Sequence, residues 1–184
     1  MINYVSLINE ATVYDVCIKT PLDKLNQLSQ KCNNSIFLKR EDLQPVHSFK
    51  LRGAYNKISQ LPQSELQNGV IAASAGNHAQ GVAYSAQKLD ISATIVMPIT
   101  TPDIKVTAVK QLGARVILFG DTYDEAYDHA LEIANQKKSI FIHPYDDPLV
   151  IAGQGTIAVE LLADCPNMDY VFIAVGGGGL IAGV

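Results

Sequence analysis

The residue whose chemistry stands out first is Lys50, in the segment PVHSFKLRG at residues 45–53. It follows Phe49 directly and lies at a predicted helix start, where a positive charge is electrostatically unfavourable. A solvated surface lysine is the simple interpretation. Held instead in an apolar pocket beside Phe49, the amine would have a lowered pKa and would be a nucleophile.

A second candidate is a run of four glycines, residues 176–179, between a predicted strand and a predicted helix. Glycines let a ligand approach the backbone closely, and the N–H groups at a helix start attract anions, so a phosphate group is the natural ligand. The run lacks the GxxxxGK[ST] pattern of nucleoside triphosphate loops and fits a dinucleotide fingerprint poorly. A flexible turn is the alternative interpretation.

The third candidate is SAGNHAQG, residues 74–81, which also joins a predicted strand to a predicted helix. Its backbone N–H groups could hold a carboxylate, and Asn77 offers a hydrogen bond from a fixed place. His78 is either an acid or base, or a structural hydrogen-bonding residue packed under a helix. A lysine nucleophile, a phosphate loop and a carboxylate loop together predict a pyridoxal phosphate enzyme that acts on an amino acid.

Apolar runs of strand length alternate with longer amphipathic stretches, which predicts βαβ units and a parallel sheet in an α/β fold. The predicted strands are residues 36–38, 69–74, 92–98, 115–119, 139–142 and 170–175. The predicted helices are residues 3–18, 21–31, 52–60, 77–89, 101–112, 122–135 and 148–163. Helix start signals at Pro102 and Thr122 and a C-terminal glycine, Gly113, support these boundaries.

Composition narrows the class of protein. The chain has 184 residues, 48% of them hydrophobic, with a formal net charge of −4. It is long enough for a sizeable core in one domain or two small ones. The chain has no basic patch, no acidic calcium-type cluster and no apolar stretch of about 18 residues, so nucleic acid, metal and membrane partners are not expected. Three separated cysteines and the absence of a leader pattern predict a cytoplasmic protein with reduced thiols.

The segment KREDLQPVHSFKLRGA, residues 39–54, closely resembles the lysine segment of threonine dehydratases (threonine ammonia-lyases), and most of all their biosynthetic branch. Residues 74–81 are similar to that family's asparagine loop, and residues 152–156 and 176–180 match two further motifs in the same order. The resemblance covers essentially the whole chain. It implies the type II fold of pyridoxal phosphate enzymes, similar to tryptophan synthase β, with two open parallel-sheet α/β domains. The large domain would take residues 1–68 and 147–184, and the small inserted domain residues 69–146.

The resemblance also implies the roles of individual residues. Lys50 would hold the pyridoxal phosphate covalently and act as the catalytic base. Phe49 would pack beside the cofactor ring, and Asn77 would hydrogen-bond its 3′ oxygen. The phosphate would be held by the backbone N–H groups of Gly176, Gly177, Gly178, Gly179 and Leu180. The substrate carboxylate would be bound by the loop of Ser74, Ala75, Gly76, Asn77 and His78.

The reaction implied is α,β-elimination of L-threonine to 2-oxobutanoate and ammonia, the first step of isoleucine biosynthesis, with L-serine to pyruvate as a side activity. A homo-oligomer, dimer or tetramer, is also implied. In related serine racemases a serine stands at the position of Ala75, so racemisation is not expected. Family members continue well beyond the glycine run, which suggests an incomplete large domain and a fragment that is inactive alone. The alternatives are an L-serine dehydratase or related lyase, and a truncated remnant without enzymatic activity.

Overall fold

The computed structural model describes residues 2–184 as an α/β structure built on a parallel sheet. In chain order the strands are β1 (Leu22–Lys24), β2 (Phe37–Lys39), β3 (Val70–Ala73), β4 (Ala93–Met97), β5 (Arg115–Leu118) and β6 (Ile140–Phe141). The last four form one parallel sheet in the order β5-β4-β3-β6, while β1 and β2 form an antiparallel pair. The predicted α/β class with parallel sheet is confirmed.

Helices connect the parallel strands, as parallel pairing requires. They are α1 (Tyr4–Asn9), α2 (Asn26–Cys32), α3 (Lys50–Ser59), α4 (Gln63–Leu66), α5 (Asn77–Lys88), α6 (Asp103–Gln111), α7 (Tyr123–Lys137), α8 (Pro148–Asp164) and α9 (Gly179–Gly183). Short 3-10 turns occupy Val13–Asp15 and Glu41–Leu43. Within residues 2–184, no helix combines the length and the apolar character needed to cross a membrane.

Both faces of the parallel sheet are covered. Val70 and Ala72 of β3 belong to the apolar cluster that contains the inner face of α5, whereas Ile71 and Ala73 belong to the cluster on α7. Successive strand residues point to opposite faces, so a strand covered on both sides must be apolar throughout. All four β3 residues are fully buried, which explains why this run lacks polar alternation.

Helices α3 and α8 pack with their backbones in close approach because each carries a glycine at the contact. A Cβ on Gly53 would lie 2.6 Å from the carbonyl oxygen of Val150. A Cβ on Gly153 would lie 2.6 Å from the carbonyl oxygen of Arg52. Larger side chains would therefore push the helices apart. The two helices run antiparallel, so the start of α8 lies beside Asn56 of α3, whose side chain donates to the Leu149 carbonyl oxygen at 2.7 Å.

Several predicted boundaries are confirmed by their capping residues. The Thr122 hydroxyl accepts a hydrogen bond from the Glu125 N–H, and the Glu125 carboxylate accepts one from the Thr122 N–H, so this pair starts α7. Gly113 follows α6 with φ of +85°, the left-handed conformation that glycine adopts easily. Helices α3 and α5 to α8 all begin and end within a few residues of their predicted limits.

The two predicted N-terminal helices were wrong in part. In the first, residues 3–18, the chain leaves the helix after Asn9, and the Thr12 N–H donates instead to the Asn56 side chain at 3.1 Å. In the second, residues 21–31, the first part is strand β1, in which Leu22 pairs with Lys39. Tertiary hydrogen bonds override local helix propensity in both places.

The predicted strand at residues 170–175 was also wrong. The segment joins neither sheet of the described residues, and Phe172 is 97% exposed while Tyr170 is 83% exposed. Its apolar composition fits a buried strand, but a strand is defined by the neighbour that receives its backbone hydrogen bonds. No such neighbour lies beside it in residues 2–184.

A buried ion network fixes α3 in the molecule. The guanidinium of Arg52, which is fully buried, donates to Glu41 at 2.7 and 2.8 Å and to Glu160 on α8 at 2.6 Å. The Tyr14 hydroxyl donates at 2.8 Å to Oε1 of Glu160, the same oxygen that Arg52 contacts. The Lys39 amine of β2 lies 2.6 Å from the other oxygen, Oε2. Arg52 therefore joins three parts of the chain two residues after Lys50.

Replacing Arg52 by methionine should destabilise the fold strongly. The substitution would leave the buried Glu160 carboxylate without its guanidinium, and breaking a buried pair costs about 3–5 kcal/mol in the free energy of unfolding. Urea unfolding followed by circular dichroism measures the change. The matched control is Arg40→Met, whose pairs with Asp23 and Asp42 are solvent-exposed and contribute little. Equal stability losses in the two variants would contradict this account.

Candidate active site

Lys50 is the first residue of α3, and its side chain crosses to the loop after β6. Its Nζ donates a hydrogen bond to the carbonyl oxygen of Pro144 at 2.8 Å and lies 5.5 Å from the centre of the Phe49 ring. The Ser48 hydroxyl accepts from the Lys50 N–H at 3.2 Å, which holds the helix start. Burial lowers the pKa of Lys50 below its ordinary value. The amine is therefore easier to deprotonate than that of a solvated lysine.

The loop at residues 74–78 lies where β3 ends and α5 begins. The Ser74 N–H continues the sheet by donating to the Val96 carbonyl at 3.1 Å, and the Ser74 hydroxyl accepts from the Gly76 N–H at 3.1 Å. Asn77 is exposed at the first position of α5, and no atom lies within 4 Å of where a Cβ of Gly76 would be. The loop is thus an open surface at the carboxyl end of a parallel sheet, where open α/β folds bind ligands.

His78 is the buried member of this loop. Its Nε2 lies 2.9 Å from the Ile142 carbonyl oxygen, which can only accept, so Nε2 carries the proton. Burial, together with the nearby positive charges of Lys50 and His143, lowers the pKa of His78 to about 4, although the Ile142 hydrogen bond opposes this. Neutral His78 therefore ties α5 to the end of β6, and this geometry favours the structural alternative over an acid or base.

The glycine run presents two faces. A Cβ on Gly177 would overlap the Tyr145 ring, and one on Gly179 would lie 2.7 Å from the Tyr145 carbonyl oxygen. The positions of a Cβ on Gly176 and Gly178 are open, and Gly178 has φ of +90°. Within residues 2–184, the N–H groups of residues 176–180 donate no hydrogen bond. Unpaired N–H groups on a backbone with open space are what a phosphate ester requires.

Sequence reasoning missed the segment that links these parts, Ile142–Asp147. The Pro144 carbonyl holds the Lys50 amine, the Ile142 carbonyl accepts from His78, and Tyr145 packs under the glycine run. A signal was available, since the segment follows the predicted strand at 139–142 and so reaches the same sheet edge as residues 74–78. Lys50, His78, Gly177 and Gly179 all contact this segment, whereas Asn77 and Gly176 stand at open surface.

An α/β chain that places a partly buried lysine amine near an open glycine run defines a class of enzyme, one that holds a phosphate-bearing aldehyde on a lysine. The chain belongs to the family of pyridoxal-phosphate dependent enzymes, whose sequence model matches residues 13–184. The predicted membership in the pyridoxal phosphate enzymes, with their type II fold and their cofactor, is thereby confirmed. The lysine and the open glycine run fit the aldehyde and the phosphate of pyridoxal phosphate, respectively.

Individual proteins of this family are similar to the chain in sequence and in structure. The chain is 56% identical over 172 residues to an L-threonine dehydratase biosynthetic IlvA of Haemophilus influenzae, covering 94% of this chain and 34% of the relative. It resembles the processed form of threonine deaminase isoform 2 of Solanum lycopersicum with a TM-score of 0.96 and 53% identity, over 98% of this chain and 50% of that one. A serine racemase of maize matches with a TM-score of 0.94 and 32% identity, over 97% and 55%. The chain spans about a third of the length of the curated relatives it matches.

Alanine substitutions in the glycine run should separate its two faces. In Gly177→Ala the methyl group overlaps the Tyr145 ring, so we expect the free energy of unfolding without cofactor to fall by about 1–3 kcal/mol. Gly176→Ala places its methyl group in open space and should leave that stability unchanged, yet weaken the binding of pyridoxal phosphate. Urea unfolding and an absorbance titration measure the two effects. Equal destabilisation by both substitutions would show that Tyr145 does not support the run.

The stability of the cofactor-free chain should decrease with acid through His78. The unfolded chain binds this proton near pH 6.5 and the folded chain near pH 4, so unfolding takes up a proton between these values. The contribution is complete above pH 6.5 and is lost as the pH falls through 4, on the order of 3 kcal/mol in the free energy of unfolding.

Unfolding titrations of His78→Gln test this assignment. A glutamine side chain can still donate to the Ile142 carbonyl but cannot be protonated, so the pH dependence due to His78 should vanish. The control His129→Gln, on α7 and away from this site, should keep the wild-type dependence. An unchanged slope in His78→Gln would mean that another group titrates.

Proposed function

We propose that this chain supplies the lysine and phosphate-binding parts of a threonine dehydratase, which converts L-threonine to 2-oxobutanoate and ammonia by α,β-elimination and so begins isoleucine biosynthesis. The observation that carries the proposal is the Lys50 amine, dehydrated enough to have a lowered pKa and held 2.8 Å from the Pro144 carbonyl, on the segment that also supports the glycine run. The names of the Haemophilus and tomato relatives support the choice of threonine.

The cofactor would be held by residues from three segments. Lys50 would bind it covalently, Phe49 would lie beside its ring, and Asn77 would hydrogen-bond its 3′ oxygen. The phosphate would accept hydrogen bonds from the N–H groups of Gly176, Gly177, Gly178, Gly179 and Leu180. When bound, pyridoxal phosphate withdraws electrons from the substrate Cα, which makes the proton on that carbon acidic.

The chain's own residues then bind the substrate and move the proton. The loop of Ser74, Ala75, Gly76, Asn77 and His78 receives the substrate carboxylate on its backbone N–H groups. The Lys50 amine takes the proton from Cα, and its lowered pKa increases the fraction that is neutral and able to do so. The β-hydroxyl leaves as water with a proton that balances the one taken from Cα, and hydrolysis of the resulting enamine releases 2-oxobutanoate and ammonia. His78 is assigned no proton transfer, because burial lowers its pKa to about 4, which makes the ring a weak base, and its Nε2–H is bound to the Ile142 carbonyl.

The domain organisation remains a prediction. We propose a small inserted domain at residues 69–146, supported by the observation that all four strands of the parallel sheet lie between Val70 and Phe141. The large domain, residues 1–68 and 147–184, is supported by the backbone contact of Gly53 with Gly153. A homo-oligomer and a cytoplasmic location also remain predictions.

Turnover of L-threonine and L-serine is the test of this function. A protein that contains this chain within the length of its relatives, loaded with pyridoxal phosphate, should release 2-oxobutanoate from threonine faster than pyruvate from serine. Lys50→Arg should lower the rate by at least about a hundredfold, since an arginine can serve neither as the covalent attachment nor as a base. Lys57→Arg, on the same helix and paired with Asp147 at 2.8 Å, is the matched control and should remain active. Preference for serine would favour a serine dehydratase, and an active Lys50→Arg protein would exclude the mechanism.

The similarity to a serine racemase makes racemisation a necessary second assay. A racemase needs a base on each face of the substrate, and the Ala75 side chain cannot transfer a proton. We therefore expect L-serine to be consumed without formation of D-serine, as measured by chiral chromatography. Interconversion of the two enantiomers by the wild-type protein would refute this assignment of Ala75.

A further inference from the structure

His143 lies two residues after β6 and accepts two backbone hydrogen bonds within its own loop. Its Nδ1 receives the N–H of Asp146 at 2.7 Å and the N–H of Tyr145 at 3.3 Å. An acceptor nitrogen carries no proton, so in the neutral ring the proton is on Nε2. The side chain thus closes a tight turn around Pro144 and Tyr145.

This turn contacts the other parts of the candidate site. Pro144, which is buried, presents its carbonyl oxygen to the Lys50 amine at 2.8 Å. The ring and backbone of Tyr145 pack against Gly177 and Gly179. Asp147 ends the segment and accepts from the first N–H groups of α8. Any displacement of the turn would therefore move the lysine amine relative to the glycine run.

We propose that His143 is a positioning residue of the cofactor site: its Nδ1 holds the Pro144–Tyr145 turn, so that the Lys50 amine and the glycine run keep the separation that pyridoxal phosphate needs. The inference rests on the proposed function, because it assumes that these two groups bind one cofactor. Burial lowers the pKa of His143, which favours a neutral ring whose Nδ1 is unprotonated and can accept these hydrogen bonds.

Aromatic packing is the competing role for the same side chain. The His143 ring meets Tyr145 edge-on at 4.6 Å between centroids, and it lies 6.3 Å from both Phe141 and Tyr127. If packing were its purpose, any planar ring of similar size would replace it. If hydrogen bonding is its purpose, the replacement must present an acceptor where Nδ1 now lies.

Two substitutions separate these roles. His143→Asn places its side-chain oxygen near the position of Nδ1 and removes most of the ring, while His143→Phe keeps a ring and removes the acceptor. His143→Ala lacks both and serves in place of the phenylalanine variant if the latter does not fold. His129→Ala, on α7 and outside the turn, is the matched control. Circular dichroism identifies the variants that fold.

The measurements are the dissociation constant of pyridoxal phosphate, by absorbance titration of the full chain, and amide hydrogen exchange at Tyr145 and Asp146 without cofactor. We expect His143→Phe and His143→Ala to weaken binding about twentyfold, because each of two lost hydrogen bonds contributes roughly fivefold. Exchange at both amides should accelerate in the same variants. His143→Asn and His129→Ala should stay within about threefold of wild type in both measurements. This limit is smaller than the roughly fivefold effect expected from losing one hydrogen bond.

The possible failures are distinguishable. Wild-type binding in His143→Phe or His143→Ala would overturn the positioning role and leave the proposed function intact, and so would equal losses in His143→Asn and His143→Phe. Failure of the wild-type protein itself to take up pyridoxal phosphate would overturn the proposed function and this inference with it.

Discussion

A lysine amine can act as a nucleophile or a base only when it is uncharged, and the partial burial of Lys50 is the constraint on which the rest of the site depends. Its Nζ, which donates to the Pro144 carbonyl oxygen beside the Phe49 ring, is partly removed from bulk water, and this burial disfavours the charged form and lowers the pKa. The position is costly because the amine also lies at a helix start. The fold must therefore hold α3 firmly enough to keep it there.

Two features of α3 provide that support. Arg52 anchors the first turn to Glu41 and Glu160 through a buried ion network, and Gly53 lets α8 approach to backbone contact. The parallel sheet provides the opposite side of the site, because β3 and β6 end at the same edge. The loops that follow these strands carry residues 74–78 and the Pro144 carbonyl. Lys50 therefore lies between α3, which the ion pairs of Arg52 hold in place, and the edge of a sheet that apolar clusters cover on both faces.

Much of this was predictable from local patterns. The strands of the parallel sheet are short apolar runs, and α7 has a complete capping box at Thr122, so their existence follows from neighbouring residues. The lysine, glycine and asparagine segments were candidates from residue type and spacing, and the family resemblance supplied the roles predicted for them. Strand β1 was not predictable, because Leu22–Lys24 is strand only through its pairing with Phe37–Lys39. The prediction for residues 170–175 failed for the opposite reason: the sequence is typical of a strand, but no strand of the described residues pairs with it. The turn at His143 was missed because its contacts are a backbone carbonyl and bonds from backbone N–H groups, which residue types do not reveal; its position after the predicted strand at 139–142 was the one available signal.

Borohydride reduction of the chain mixed with pyridoxal phosphate, followed by peptide mapping, tests the central claim most directly. The reducing agent makes the bond between the cofactor and a lysine permanent, so the modified peptide identifies the amine that forms it. A single adduct on Lys50 is predicted, because burial lowers the pKa of that amine and the glycine run lies across the Pro144–Tyr145 turn from it. Adducts scattered over the exposed lysines, or none, would contradict a preformed site.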